Sequence, residues 1–115
     1  MKVTIYHNPK CSTSRNVLAA LHERGLEPEV IEYLKTVPTR EDIRNMARDS
    51  GLGLRGLLRR RNTPYDELGL DDESLSEDRL LDAVEANPVL LNRPVVVTPK
   101  GTRLVRPVDV LDDIL

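Results

Sequence analysis

A strand, a helix and a second strand follow one another near the start of the chain, and this order most constrains the fold. Val3–Tyr6 alternates β-prone residues and runs into Asn8-Pro9, which breaks regular structure. Ser12–Arg24 places its apolar residues on one helical face, and Glu29–Leu34 reads as a second strand. Because the helix connects the two strands, they form a parallel βαβ unit with a right-handed crossover.

The end of the chain predicts a hairpin followed by a helix. Pro94–Thr98 is a continuous apolar strand, and Thr102–Val105 returns as its antiparallel partner after the turn at residues 99–101. Pro107–Leu115 then shows the apolar spacing of a short amphipathic helix. This is a ββα unit.

The middle of the chain is helical. We expect one helix over Thr39–Gly51, a short helix over Arg55–Arg60 and another over Ser76–Asn87, with a loop at Pro64. The layer rule predicts an α/β fold, and the element order is that of a thioredoxin-like domain. We therefore predict a single domain over residues 1–115, with a mixed four-stranded sheet flanked by helices and a helical insertion between the βαβ and ββα units.

Charge and composition limit the partners of this chain. Seventeen basic and nineteen acidic residues give a formal net charge of -2, and Phe and Trp are absent, which argues against nucleic-acid binding. No apolar run approaches the roughly 18 residues of a membrane span, and the first residues do not resemble a signal peptide. A single cysteine cannot form an internal disulfide, so we expect a reducing compartment, the cytoplasm.

Cys11 lies in a polar turn where a strand passes into a helix. A helix N-terminus stabilises a thiolate through its unpaired N–H groups and dipole. Residues 12–14 supply hydroxyl and backbone donors, Lys10 adds a positive charge, and His7 lies at the end of the preceding strand. We therefore predict that Cys11 is a reactive thiol rather than a core residue.

The spacing around Cys11 excludes two thiol chemistries. A C-x5-R phosphatase loop requires Arg at position 17, which is Val17, and a C-x-x-C dithiol requires Cys at position 14, which is Ser14. One cysteine and two distant histidines do not make a zinc site. If Cys11 is oxidised or modified in turnover, the resolving thiol must come from another molecule.

Two arginines stand at strand ends that a ββα unit places near the first helix. Arg93 directly precedes the apolar strand, and Arg106 ends the strand that follows it. Guanidinium groups bind oxyanions with several hydrogen bonds, so both are candidates for an anion clamp. Arg15, Arg103 and the cluster at residues 55–61 remain alternatives.

The segment Tyr6–Asn16, which reads YHNPKCSTSRN, closely resembles the active-site signature of the glutaredoxin-dependent arsenate reductases. The resemblance continues in order and spacing through residues 57–59, 64–65, 67–70, 92–94, 97–99, 101–104 and 106–107, whereas Val105 stands where some members have a further cysteine. Thioredoxin-like proteins often have a cis proline at the position of Pro94, which leaves cis and trans open there.

The resemblance implies that Cys11 attacks the arsenic of arsenate, with electrons supplied from outside the chain. In that family glutathione, a co-substrate, attacks the thiol-bound arsenic, and glutaredoxin clears the mixed species so that arsenite leaves. It implies no bound cofactor and no metal. The implied site residues are Cys11, His7 and Ser14 for catalysis, with His7 helping to hold the thiolate, and Arg59, Arg93 and Arg106 for binding the oxyanion.

Two alternatives belong to different classes. Spx-like regulators share this fold and bind RNA polymerase, but they typically carry a C-x-x-C pair, and Ser14 stands at the second position here. A related thiol enzyme acting on another oxyanion would keep the same cysteine and arginines, and the sequence leaves it open.

Overall fold

The computed structural model describes the whole chain, Met1–Leu115, as two compact units. The sheet unit comprises residues 1–36 and 93–115, and the helical unit comprises residues 37–92. No helix in either unit has the length and apolar character needed to cross a membrane. That residues 1–115 behave as a single domain stays a prediction.

The sheet unit contains four strands in the order β2-β1-β3-β4. Strands β1 and β2 are parallel, whereas β3 runs antiparallel to both β1 and β4. This confirms the predicted α/β class, the mixed four-stranded sheet, the βαβ unit and the hairpin. The elements are β1 (Thr4–His7), α1 (Ser12–Glu23), β2 (Glu29–Glu32), β3 (Val95–Thr98), β4 (Gly101–Leu104) and a 3₁₀ helix over Val108–Asp113.

The core of the sheet unit lies where α1 and the 3₁₀ helix pack with the central strands. Val17 and Leu21 are four residues apart on α1, so both side chains point to the same face and are fully buried. The shared cluster is aliphatic throughout and consists of Val3, Ile5, Val17, Leu21, Val96, Val105, Leu111 and Ile114.

The last helix is 3₁₀ rather than the amphipathic helix predicted over Pro107–Leu115. The Val110 N–H donates to the Pro107 carbonyl, and the Ile114 N–H donates to the Leu111 carbonyl. In this tighter winding, residues three apart lie above one another. Leu111 and Ile114 therefore reach the core together.

The helical unit contains three α-helices and a short 3₁₀ helix. Helix α2 begins with a capping box, in which Thr39 Oγ1 accepts the Asp42 N–H and the Asp42 side chain accepts the Thr39 N–H. The helices predicted over Thr39–Gly51 and Ser76–Asn87 are confirmed, and their observed ends differ from the predicted ones by one or two residues. The elements are α2 (Arg40–Asp49), α3 (Gly53–Gly56), α4 (Glu77–Ala86) and a 3₁₀ helix over Pro88–Leu90.

The helix predicted over Arg55–Arg60 is wrong in position. Helix α3 ends at Gly56, and Leu58 then forms an isolated antiparallel bridge with Leu91. The Arg59 N–H donates to the Leu90 carbonyl at 2.7 Å. This pairing with a distant segment extends the backbone where the local sequence alone favours a helix.

Candidate active site

Cys11 is the N-cap of α1, as the sequence predicts. Its backbone is extended, its N–H donates to the Asn8 carbonyl at 3.0 Å, and its carbonyl accepts the Arg15 N–H at 3.0 Å. The side chain is largely buried, with 9% of its surface exposed. The thiol therefore lies directly beside the unpaired N–H groups of the first helical turn.

The pKa of the Cys11 thiol lies below its ordinary value. Burial raises this pKa, but the Ser14 backbone N–H, the Arg106 side chain, the positive charge of Arg93 and the Thr13 backbone N–H lower it by more. The thiolate is thus stabilised by two peptide N–H groups and two guanidinium groups, and only the thiolate is a strong nucleophile.

Arg106 makes the direct side-chain contact with the thiol. Its Nη1 lies 3.6 Å from Cys11 Sγ and also donates to the Arg93 carbonyl oxygen at 3.0 Å. A guanidinium group has five N–H donors, so these contacts leave further donors for a ligand. The carbonyl orients the guanidinium without neutralising it.

The hairpin explains why Arg93 and Arg106 meet at this place. Strands β3 and β4 are antiparallel, with Val95 opposite Leu104, so Arg93, two residues before β3, and Arg106, two residues after β4, share one end of the hairpin. Val95 also lies opposite Tyr6, near the end of β1 from which the loop with Cys11 departs.

Both arginines precede a cis proline. The Arg93–Pro94 bond is cis, which was one of the two states left open from the sequence, and the Arg106–Pro107 bond is cis as well. The Nε atom of Arg93 is shielded from solvent.

His7 and Ser14 form a buried pair beside the thiol. His7 Nδ1 lies 2.6 Å from Ser14 Oγ, and the same oxygen accepts the Asn8 N–H at 3.1 Å. The Ser14 hydroxyl is thus engaged with His7 and Asn8 and is not among the groups that lower the pKa of Cys11. Ser14 acts on the pKa of the thiol through its backbone N–H instead.

The pKa of His7 is lowered. Burial is the main cause, the charge of Arg15 adds to it, and the charge of Glu32, which lies opposite His7 on β2, opposes it. The neutral ring fits the pair, since the Ser14 hydroxyl then donates to Nδ1 while accepting the Asn8 N–H.

Asn8 connects these groups, and the sequence reasoning treated it only as a structure breaker. It is 8% exposed, its carbonyl accepts the Cys11 N–H, and its Oδ1 accepts the Lys10 N–H at 3.0 Å. Asn side chains commonly accept a hydrogen bond from the backbone N–H two residues further on. This preference is the sequence signal by which Asn8 could have been identified as the residue that stabilises the turn.

Of the predicted site residues, five belong to the sheet unit and lie around the loop that follows β1: Cys11, His7, Ser14, Arg93 and Arg106. Arg59 belongs to the helical unit, where it is half-buried next to the Leu58–Leu91 bridge. The catalytic and binding roles of all six stay predictions.

The geometry supports one kind of chemistry. A stabilised thiolate stands beside guanidinium groups that can neutralise an oxyanion, and such an anion would otherwise repel the nucleophile. The arrangement can therefore bring a tetrahedral oxyanion within reach of Cys11 Sγ.

Comparison with known proteins gives consistent matches over nearly the whole chain. The ArsC family model matches residues 6–114. An arsenate reductase of Rhizobium meliloti is 53% identical over 115 residues, which cover 100% of this chain and 82% of that protein, and one of Escherichia coli K12 is 50% identical over 113 residues, covering 98% and 80%. The structure of an arsenate reductase from Vibrio cholerae superposes with a TM-score of 0.94 at 42% identity, covering 100% of this chain and 98% of that one.

Proposed function

Because this chain belongs to the ArsC family, we propose that it reduces arsenate to arsenite through a covalent bond between arsenic and Cys11. The contact between Arg106 Nη1 and Cys11 Sγ at 3.6 Å is the observation that carries the proposal. It places a cation beside a thiol whose pKa is lowered, which is what attack on an anionic substrate needs.

In the first step the Cys11 thiolate forms a bond to arsenic, and one arsenate oxygen takes up protons and leaves as water. Arg93 and Arg106 bind the remaining oxygens and offset their charge. We assign Arg59 to the same task because the sequence around it resembles that of the family. Ser14 supplies a backbone donor to the sulfur, and His7 holds Ser14 in place.

Reduction of arsenic takes two electrons, and a chain with one cysteine cannot supply them by forming an internal disulfide. Glutathione provides the first external thiol and binds arsenic through its sulfur, while a second arsenate oxygen takes up the thiol proton and leaves as water. A thiol of glutaredoxin then attacks that sulfur, and the electron pair of the broken arsenic–sulfur bond stays on arsenic. Water displaces Cys11 and releases arsenite, and the two external thiols end as a mixed disulfide.

The dependence on glutathione agrees with a cytoplasmic location, where the thiol pool is kept reduced. Relatives at 50–53% identity that carry the name arsenate reductase support the substrate. The direct test is formation of arsenite from arsenate with glutathione and glutaredoxin.

We expect turnover by the wild type and none above background by Cys11→Ser, whose hydroxyl is not ionised at neutral pH. Omitting glutaredoxin should stop turnover after the glutathione step. Wild-type protein that makes no arsenite would overturn the assignment of arsenate and would favour another oxyanion as substrate. Association of the reduced protein with RNA polymerase in the absence of turnover would instead favour the regulator class.

A further inference from the structure

Arg15 stands in the first turn of α1 and reaches back over the loop that carries Cys11. Its backbone N–H donates to the Cys11 carbonyl, and its Nη1 donates to the Pro9 carbonyl oxygen at 2.9 Å. The side chain is solvent-exposed. This hydrogen bond therefore holds the Arg15 guanidinium beside Pro9, which is two residues before Cys11 in the chain.

The charge of Arg15 is not neutralised by any carboxylate. None of the ion pairs in the chain includes Arg15 or its exposed neighbour Lys10. One bond to a carbonyl leaves four of the five guanidinium donors for a ligand. Because that bond already restricts the side chain, less conformational entropy is lost when a ligand binds.

Thiol activation does not account for Arg15. The groups that lower the pKa of Cys11 are two backbone N–H groups, Arg106 and Arg93, and Arg15 is not among them. Arg15 lowers the pKa of His7 instead, so it does not favour a positively charged imidazole beside the thiolate. Its exposed position suits binding of a ligand that approaches from solvent.

We propose that Arg15, assisted by Lys10, binds a carboxylate of the glutathione molecule that reacts at Cys11. This inference rests on the proposed use of glutathione. A tripeptide spans at most about 10 Å, and its terminal carboxylates lie within one or two residues of the thiol. Arg15 lies about one helical turn, roughly 5.4 Å, beyond Cys11. When the glutathione thiol is at Cys11, a glutathione carboxylate is therefore within reach of Arg15. Guanidinium groups bind carboxylates with two parallel hydrogen bonds.

Thiol–disulfide exchange tests this without arsenate. The Cys11 thiolate attacks one sulfur of glutathione disulfide, the sulfur–sulfur bond breaks, and the other half leaves as a glutathione thiolate that takes up a proton from water. The uncharged bis(2-hydroxyethyl) disulfide undergoes the same exchange but carries no carboxylate. The ratio of the two second-order rate constants therefore isolates carboxylate recognition from thiol reactivity.

We expect Arg15→Gln to lower the rate constant with glutathione disulfide about fivefold, in keeping with the loss of a charge-assisted hydrogen bond. The rate constant with the uncharged disulfide should stay within about twofold, because the thiolate itself is not in contact with Arg15. Arg15→Lys should recover part of the ratio, and Lys10→Gln should lower it less than Arg15→Gln does.

Arg24→Gln is the matched control, since Arg24 lies at the other end of α1 and is also exposed, but its charge is paired with Asp112. It should leave the ratio unchanged. An equal loss with both disulfides in Arg15→Gln, or no loss with either, would overturn the inference. Absence of arsenite formation by the wild type would overturn the proposed function alone, because the exchange contains no arsenic.

Discussion

In the helical unit Arg40 lies between two carboxylates of α4, whereas in the sheet unit Arg106 lies between a sulfur atom and a backbone carbonyl. Arg40 pairs with both Asp82 and Glu85. Arg106 Nη1 donates hydrogen bonds to Cys11 Sγ and to the carbonyl oxygen of Arg93.

The same contrast holds beyond these two side chains. Arg44 pairs with Glu77 and Asp78 of α4, so its charge is compensated within the helical unit. Arg15 in the sheet unit is oriented by a carbonyl and by no carboxylate. A carbonyl fixes the direction of a guanidinium but leaves its net charge in place, and that charge is what an anionic ligand requires. Arg40 and Arg44 thus connect α2 to α4 with their charges compensated, whereas Arg15 and Arg106 keep charges that no carboxylate compensates.

The largest expected effect is on turnover. Arg106→Ala should lower kcat/KM for arsenate about 100-fold or more, because it removes a donor aimed at the developing charge. Arg40→Ala should leave kcat/KM unchanged, since its charge is already compensated by α4. The check is arsenite formation under identical conditions. Similar losses in both variants would break the distinction between the two kinds of arginine.

The second effect is on substrate binding. Arg93→Ala should raise the KM for arsenate about tenfold, as expected for loss of a hydrogen bond to a charged group. Arg61→Ala removes the same charge from an exposed position in the helical unit and should change KM little. Steady-state kinetics decide between them, and equal KM values would refute the assignment of Arg93.

A third effect is on the thiol itself. Arg106→Ala should raise the pKa of Cys11, because the variant loses a group that stabilises the thiolate. At neutral pH the thiolate fraction then falls, and alkylation by iodoacetamide should slow severalfold. The titration of thiolate absorbance at 240 nm should shift to higher pH. An unchanged titration would show that the contact between Arg106 and Cys11 Sγ does not stabilise the thiolate.

The smallest expected effect is on stability. Arg40→Ala should lower the melting temperature by a few degrees at most, since exposed ion pairs contribute little and are screened by salt. High salt should reduce the difference between the variant and the wild type. A large, salt-independent loss would mean that Arg40 does more than pair with α4.

Local patterns were enough to predict most of the fold. The alternation in β1, the apolar face of α1 and the turn at residues 99–101 each act within a few residues, and each appears in the structure. The segment after α3 was not predictable in this way, because Leu58 extends to pair with a strand-like residue far ahead in the chain.

The candidate site likewise has features that follow from neighbouring residues in the sequence and features that depend on distant segments. The place of Cys11 at the N-cap follows from its neighbours in sequence, as does the proximity of His7. The bond between His7 and Ser14 and the contact of Arg106 with the sulfur depend on how the loop and the hairpin close, which no spacing rule specifies.

The hairpin also determines where this chain tolerates a change in length. Arg93 and Arg106 stand at its open end, and Pro99 and Lys100 form the tip at the other end. Because side chains alternate along a strand, one residue inserted within β3 or β4 would turn the following side chains to the opposite face. Residues added between Pro99 and Lys100 leave the pairing of the strands intact. We therefore expect a short peptide inserted at the tip to leave the site intact, while the strands themselves must keep their residue count.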